Sequence, residues 1–270
     1  MAITATDVKK LRDMTGAGMM DAKRALTEAE GDFDAAIDLL RVAGQAKMAK
    51  RADRDAKNGL VAGAGKSVIR LAAETDFVAK NEEFIALAEE IVKAVDAVGA
   101  ADLDAAKAVT LASGSTAAAA VEALAVKIGE KLELAEVATY DGDTVTYLHR
   151  RSQDLPPQVG VLVEFAGGSE DFVRGIAMQI AAMSPQWVTA DEIPADVLAQ
   201  EKHIAELKAV EEGKPEKIIG NIVAGALKKF AQDNCLVDQA SVSDDKKTVG
   251  QLLKENGVTV TRFVRFNAGA

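Results

Sequence analysis

Two stretches of this chain carry the same apolar stripe at helical spacing, and each follows a short strand-like run. Phe84, Leu87, Ala88, Ile91, Val92 and Val95 recur at one-helix-face intervals after an apolar run at 68–73. Val173, Ile176, Ala177 and Ile180 repeat the first four of those positions after a run at 161–165. A helix with one such face must bury it, and the neighbouring strands supply the surface that it covers. The repetition predicts an α+β fold with two related core subdomains, at 59–143 and 144–270. In the first, strands at 60–62 and 68–73 flank the turn Gly63-Ala64-Gly65, and helices follow near 102–109 and 116–127. A strand at 132–140 turns at Asp141-Gly142-Asp143 into 144–150, which reads as a hairpin. Later in the second copy, Val249-Gly250-Gln251-Leu252-Leu253 resembles Ile128-Gly129-Glu130-Lys131-Leu132. The second copy also holds an insertion at about 190–232, predicted to be two antiparallel helices joined at Gly213-Lys214-Pro215. A last strand runs at 259–266.

The chain before residue 59 has a different character. Residues 1–45 read as three short helices. Thr6 is the predicted cap of the first, where Val8, Leu11 and Met14 recur at helical spacing. Gly16 and Gly18 break the pattern, a second helix spans 19–28, and Asp32 caps a third that Gly44 ends. Such a bundle is near the lower size limit for independent folding. Residues 46–58 form a basic connector, with Lys47, Lys50, Arg51, Arg54 and Lys57 against Asp53 and Asp55.

Composition narrows the chemistry. A net charge of −10 argues against a general nucleic-acid or anionic-membrane binder, since both reward a positive field. Cys235 is the only cysteine and His149 and His203 are the only histidines, so no disulfide, metal site or cofactor is expected. The sequence shows neither a membrane-length apolar run nor a signal-peptide layout, which predicts a soluble cytoplasmic protein. Gly65-Lys66-Ser67 looks like the end of a phosphate-binding loop. Leu60 stands where that motif needs glycine, and a strand is predicted where it needs a helix. Direct nucleotide binding and catalytic residues are therefore not expected.

Two places stand out. Phe77 and Val78 lie in the polar segment 74–81, between a strand and a helix. Met19 and Met20 are adjacent at the start of the second helix, so a small core cannot take both, and methionine suits adaptable binding surfaces. In a chain with only 4% aromatic residues, a phenylalanine in a polar turn is a candidate binding tip.

At these residues the sequence resembles the bacterial elongation factor Ts family. The resemblance rests on Val8-Lys9-Lys10-Leu11-Arg12 with Thr15-Gly16-Ala17-Gly18-Met19-Met20-Asp21-Ala22-Lys23. It extends through Thr75-Asp76-Phe77-Val78-Ala79-Lys80-Asn81 and Lys247-Thr248-Val249-Gly250-Gln251-Leu252-Leu253, and ends with Arg262-Phe263-Val264-Arg265-Phe266. It implies a ubiquitin-associated-like N-terminal module and a guanine nucleotide exchange factor. The implied partner is elongation factor Tu, GDP-bound and nucleotide-free. Thr75, Asp76, Phe77, Val78 and Ala79 would form the segment that disturbs the partner's magnesium site. Arg12, Met19, Met20 and Lys23 would engage its G domain. Arg51, Ile128, Gly129 and His149 would add contacts, and Val242 would touch a further partner domain. Arg51 stands where some relatives have lysine, and Ser243 replaces a larger apolar residue. Two other classes stay open: an adaptor built on residues 1–45, and an unrecognised enzyme.

Overall fold

The computed structural model describes residues 3–269 and divides into two compact units. The first comprises the chain to Thr139, with Leu148–Val159 and the C-terminal residues from Phe266; the second comprises Tyr140–Tyr147 and Gly160–Arg265.

The first unit begins with helices α1 (Ala5–Thr15), α2 (Met19–Glu28) and α3 (Phe33–Ala49) around Val8, Leu11, Ala22, Ala25, Leu26 and Ala36. The cap of α1 is Thr4, two residues before the expected Thr6. Its hydroxyl accepts from Asp7 N at 3.2 Å while the Asp7 carboxylate accepts from Thr4 N at 3.0 Å, a reciprocal capping box. Asp32 caps α3 as expected. Helix α3 does not stop at Gly44 but continues through Ala49. Gly44 is there for a close approach: a Cβ at this position would overlap the Val126 side chain. Glycine at 44 therefore lets α3 lie against a later helix, and Gln45 adds a 3.0 Å hydrogen bond to Glu122 of that helix.

Strands β1 (Asn58–Ala64) and β2 (Ser67–Ala73) pair as an antiparallel hairpin, and β3 (Leu132–Thr139) joins the free edge of β2. Between β2 and β3 lie α4 (Asp76–Ala79), α5 (Glu82–Val98), α6 (Leu103–Ala108) and α7 (Ala117–Ile128). Every member of the predicted α5 stripe is buried, Phe84 completely. Full burial of one such side chain stabilises by about 1.5–3 kcal/mol.

Strands β4 (Asp143–His149), β5 (Val159–Ala166) and β6 (Thr259–Asn267), in the order β4-β5-β6, lie mostly in the second unit, while Leu148, His149, Val159, Phe266 and Asn267 at their ends belong to the first. Helix α8 (Glu170–Met183) follows β5 and buries Val173, Ile176, Ala177 and Ile180, the four positions that echo α5. Helices α9 (Ala195–Glu211) and α10 (Glu216–Asn234) pack together as the predicted pair, and α11 (Val249–Glu255) precedes β6.

Two further expectations fail. The hairpin between 132–140 and 144–150 does not form: β3 pairs with β2, and β4 lies beside β5. The Asp-Gly turn specifies a local reversal, with Gly142 N held by Glu164 at 3.0 Å, but strand edges elsewhere decide the pairing. The alignment of 249–253 with 128–132 also fails, because it sets the start of α11 against the end of α7. The counterparts are the helix caps. Thr116 and Thr248 each cap their helix and each close an antiparallel bridge, to Thr110 and Ala240.

Candidate partner-binding site

The polar segment after β2 forms one helical turn, Asp76–Ala79. Val78 and Ala79 are buried, and seating both on the core winds the backbone helically. Successive helical residues point about 100° apart, so Phe77 is turned outward, 80% exposed, with Asp76 exposed beside it. Asn81 closes the turn by donating its N–H to Val78 O at 2.9 Å, and its side chain accepts from Glu83 N at 2.9 Å and Phe84 N at 3.2 Å, which starts α5.

Two carboxylates clasp the foot of this turn reciprocally. Glu74 accepts from Lys131 N at 2.7 Å, and Glu130 accepts from Thr75 N at 3.2 Å and from its hydroxyl at 3.0 Å. Residues 74–75 and 130–131 are thereby bound to one another. Glu74 also pairs with Arg51 at 3.0 Å and Arg54 at 3.2 Å, while its carbonyl accepts from the Asn58 amide at 2.8 Å. Burial raises the pKa of Glu74, but the Lys131 N–H and the two guanidinium groups outweigh it and hold the carboxyl below its usual range. The basic connector is thus tied to the base of the Phe77 turn. The Lys131 ammonium reinforces this by donating to the carbonyls of Ala52 and Arg54.

The other expected contact residues fall as follows. Arg12 on α1 and Met19, Met20 and Lys23 on α2 are all exposed, so both methionines, not just one, face out. Asp21 between them is held by Lys47 and Arg24, both at 2.8 Å. Arg51 is committed to Glu74 within the chain. Ile128 is half-buried at the end of α7, and Gly129 caps that helix. Gly129 and Arg51 both line a cleft of about 930 Å³ between the three-helix bundle and α7, with Gly18, Met48 and Lys127 among its other walls. His149 is exposed at the end of β4, and its carbonyl accepts from Gln158 N at 3.0 Å. Thus the first unit holds all of these residues except one.

Val242 lies in the second unit, exposed on a short loop. Its N–H donates to Gln179 at 2.7 Å. Gln179 is buried and donates to Gln239 and to the Ala240 carbonyl, so buried amides fix this loop. Ser243 bonds Ser241 at 2.8 Å. Arg262, from the last motif, serves the fold: it pairs with Glu164 at 2.9 Å and lies over the Tyr140 ring. Burial pushes the Tyr140 hydroxyl up to about 12.

Sequence reading missed Glu74 and Glu130 as supports, because their partners are distant in sequence and carboxylates abound. Residues Gly63-Ala64-Gly65-Lys66-Ser67 form the β1–β2 turn. Asp96 occupies it, accepting from Lys66 N at 2.8 Å and the Ser67 hydroxyl at 3.2 Å. Burial raises the Cys235 thiol to about 11, which disfavours the reactive thiolate. Among the described residues no cluster of His, Cys, Asp or Glu could hold a metal ion, and no helix is long and apolar enough to cross a membrane.

Comparison with known proteins places this chain in a family. The family model described as "Elongation factor TS" matches residues 74–270. Over 269 residues the chain is 62% identical to the elongation factor Ts of Cutibacterium acnes, covering 100% of both chains. It is 56% identical over 266 residues to that of Saccharopolyspora erythraea and 54% identical over 266 to that of Mycolicibacterium vanbaalenii, with 98% of each chain covered. The chain belongs to the elongation factor Ts family.

Proposed function

We propose that this chain is a cytoplasmic guanine nucleotide exchange factor for elongation factor Tu in translation elongation. It binds the GDP-bound partner, disturbs the magnesium and phosphate site, and promotes GDP release so that GTP can bind. The observation that carries this reading is the exposed Phe77 on a short, braced turn with Asp76 beside it. The family name and the relatives' names support the setting in elongation.

The proposed mechanism is differential binding. Phe77 stands in water in the free chain. Burying a phenylalanine gains about 1.5–3 kcal/mol. If that burial is available only when the partner's nucleotide site is deformed, the gain shifts the partner toward that state. Asp76 brings a negative carboxylate to the same region, where it competes with phosphate for electrostatic partners. Coupling is reciprocal, so GDP weakens the factor's binding as much as the factor weakens GDP's. An incoming GTP then expels the factor. No covalent bond changes, and the factor is not an enzyme in that sense.

The ubiquitin-associated-like module at 1–45 grips the partner's G domain through Arg12, Met19, Met20 and Lys23. Ile128, Gly129 and His149 extend the contact from the core, Arg51 adds to it from the connector, and Val242 meets a further partner domain. The decisive measurement is release of fluorescently labelled GDP from purified elongation factor Tu. The chain should accelerate release many-fold. Phe77→Ala should reduce this by roughly 10- to 100-fold, the equivalent of the lost burial. If the wild type has no effect, the function is wrong. If both Phe77→Ala and Asp76→Ala keep full activity, the wedge is wrong.

A further inference from the structure

A side chain that pries at a partner works only if its own base does not yield. Phe77 and Asp76 sit on a single helical turn, too short to be stable alone. Something outside the turn must hold it. Val78 and Ala79 anchor one side by burial. The other side, at 74–75, has no large apolar anchor and is held by carboxylates.

We infer that Glu74 is a positioning residue. It binds the connector and the α7–β3 corner to the foot of the Phe77 turn, and so keeps the tip in one orientation before the partner arrives. Four observations carry this. The Glu74 side chain is only 10% exposed, so it offers little surface to a partner. Its carboxylate takes the Lys131 N–H at 2.7 Å, which joins the turn to the end of α7. The same carboxylate takes Arg51 and Arg54, which joins the turn to the connector. Glu130 makes the reverse bond to Thr75, so the joint is closed from both sides. A tip held this way loses little freedom when it enters the deformed nucleotide site after the other contacts have docked the factor, whereas a loose tip must be ordered at that step.

The inference rests on the exchange reading for its kinetic consequence, but the joint itself can be tested without a partner. Glu74→Gln keeps an acceptor for Lys131 N–H and removes the charge that holds the two arginines. In the free chain, hydrogen exchange at Lys80 N and Asn81 N, which close the turn on Phe77 O and Val78 O, should quicken several-fold. With elongation factor Tu, the maximal rate of GDP release should fall by about five-fold while half-saturation stays within about two-fold. In a Phe77→Ala background the same substitution should add less than about two-fold, because it acts through Phe77.

Unchanged amide protection overturns the inference, as does a kinetic effect fully additive with Phe77→Ala. A wild type without exchange activity defeats the functional reading, and amide protection then decides the joint alone. Should Glu74→Gln not fold, Arg54→Ala removes one arm from an exposed site. It should act in the same direction and more weakly, and Arg54→Lys should restore the wild-type rate. Equal rates and equal protection for Arg54→Ala and Arg54→Lys would overturn the inference as well.

Discussion

The same strand-to-helix corner occurs twice in this molecule, and only one copy carries a tip. In the first unit β2 ends at Ala73 and α5 starts at Glu82, and residues 74–81 between them hold the turn that bears Asp76 and Phe77. In the second unit β5 ends at Ala166 and α8 starts at Glu170. Only Gly167, Gly168 and Ser169 lie between, with both glycines at positive φ and Ser169 capping the helix. Beneath both corners the helices bury equivalent faces. The scaffold is shared, and the difference lies wholly in the connection, where binding function is commonly placed on a rigid frame.

The strongest test of this contrast sets two nearby phenylalanines against each other. Phe84→Ala should destabilise the fold by about 3–5 kcal/mol, seen as a lower urea midpoint, since Phe84 is fully buried. Phe77→Ala should leave stability within about 0.5 kcal/mol, because its side chain is exposed, and should lose exchange instead. Comparable destabilisation by both would mean that Phe77 is part of the core.

The plain corner should respond in the opposite way. Gly168→Ala forces a side chain into a left-handed backbone, where a Cβ would overlap Val258. It should cost about 1–3 kcal/mol of stability and leave GDP release per folded molecule unchanged. A release defect in fully folded Gly168→Ala would break the separation of scaffold and tip.

The smallest expected effect concerns pH. Glu74 is held below the ordinary carboxyl value of 4.5. A depressed carboxylate contributes stability above its unfolded value and loses it as pH falls through the folded one. Wild type should therefore lose more stability than Glu74→Gln between neutral pH and below about 4.5, measured by urea unfolding at each pH. Identical losses would deny the carboxylate its share in the joint.

Much of this fold is legible in the sequence because burial on one helix face leaves a periodic trace. The α5 and α8 stripes are read directly. So is the exposed position of Phe77, because a polar frame around an aromatic residue is a local signal. Apart from the cap of α1, the misses share a root, in that local signals do not settle non-local questions. Gly44 reads as a helix stop, yet its reason is a neighbour far along the chain, Val126. Asp141-Gly142-Asp143 reads as a hairpin, yet the strands on either side of it belong to different sheets. Glu74 and Glu130 act on Lys131 and Thr75, across 57 and 55 positions, and nothing in their own neighbourhood marks them among 42 acidic residues.

The uninterrupted course of α3 has a mechanical consequence. Its first half supplies Ala36 to the small N-terminal core, and its second half lies against α7 at Gly44. Seventeen residues of continuous helix span about 25 Å, and the one glycine among them, Gly44, is packed against Val126. The N-terminal bundle is therefore mounted on a shaft rather than hung on a string. Fluorophores on that bundle and on α7 should report one narrow distance, and torque applied at the methionine face would reach the connector as rotation.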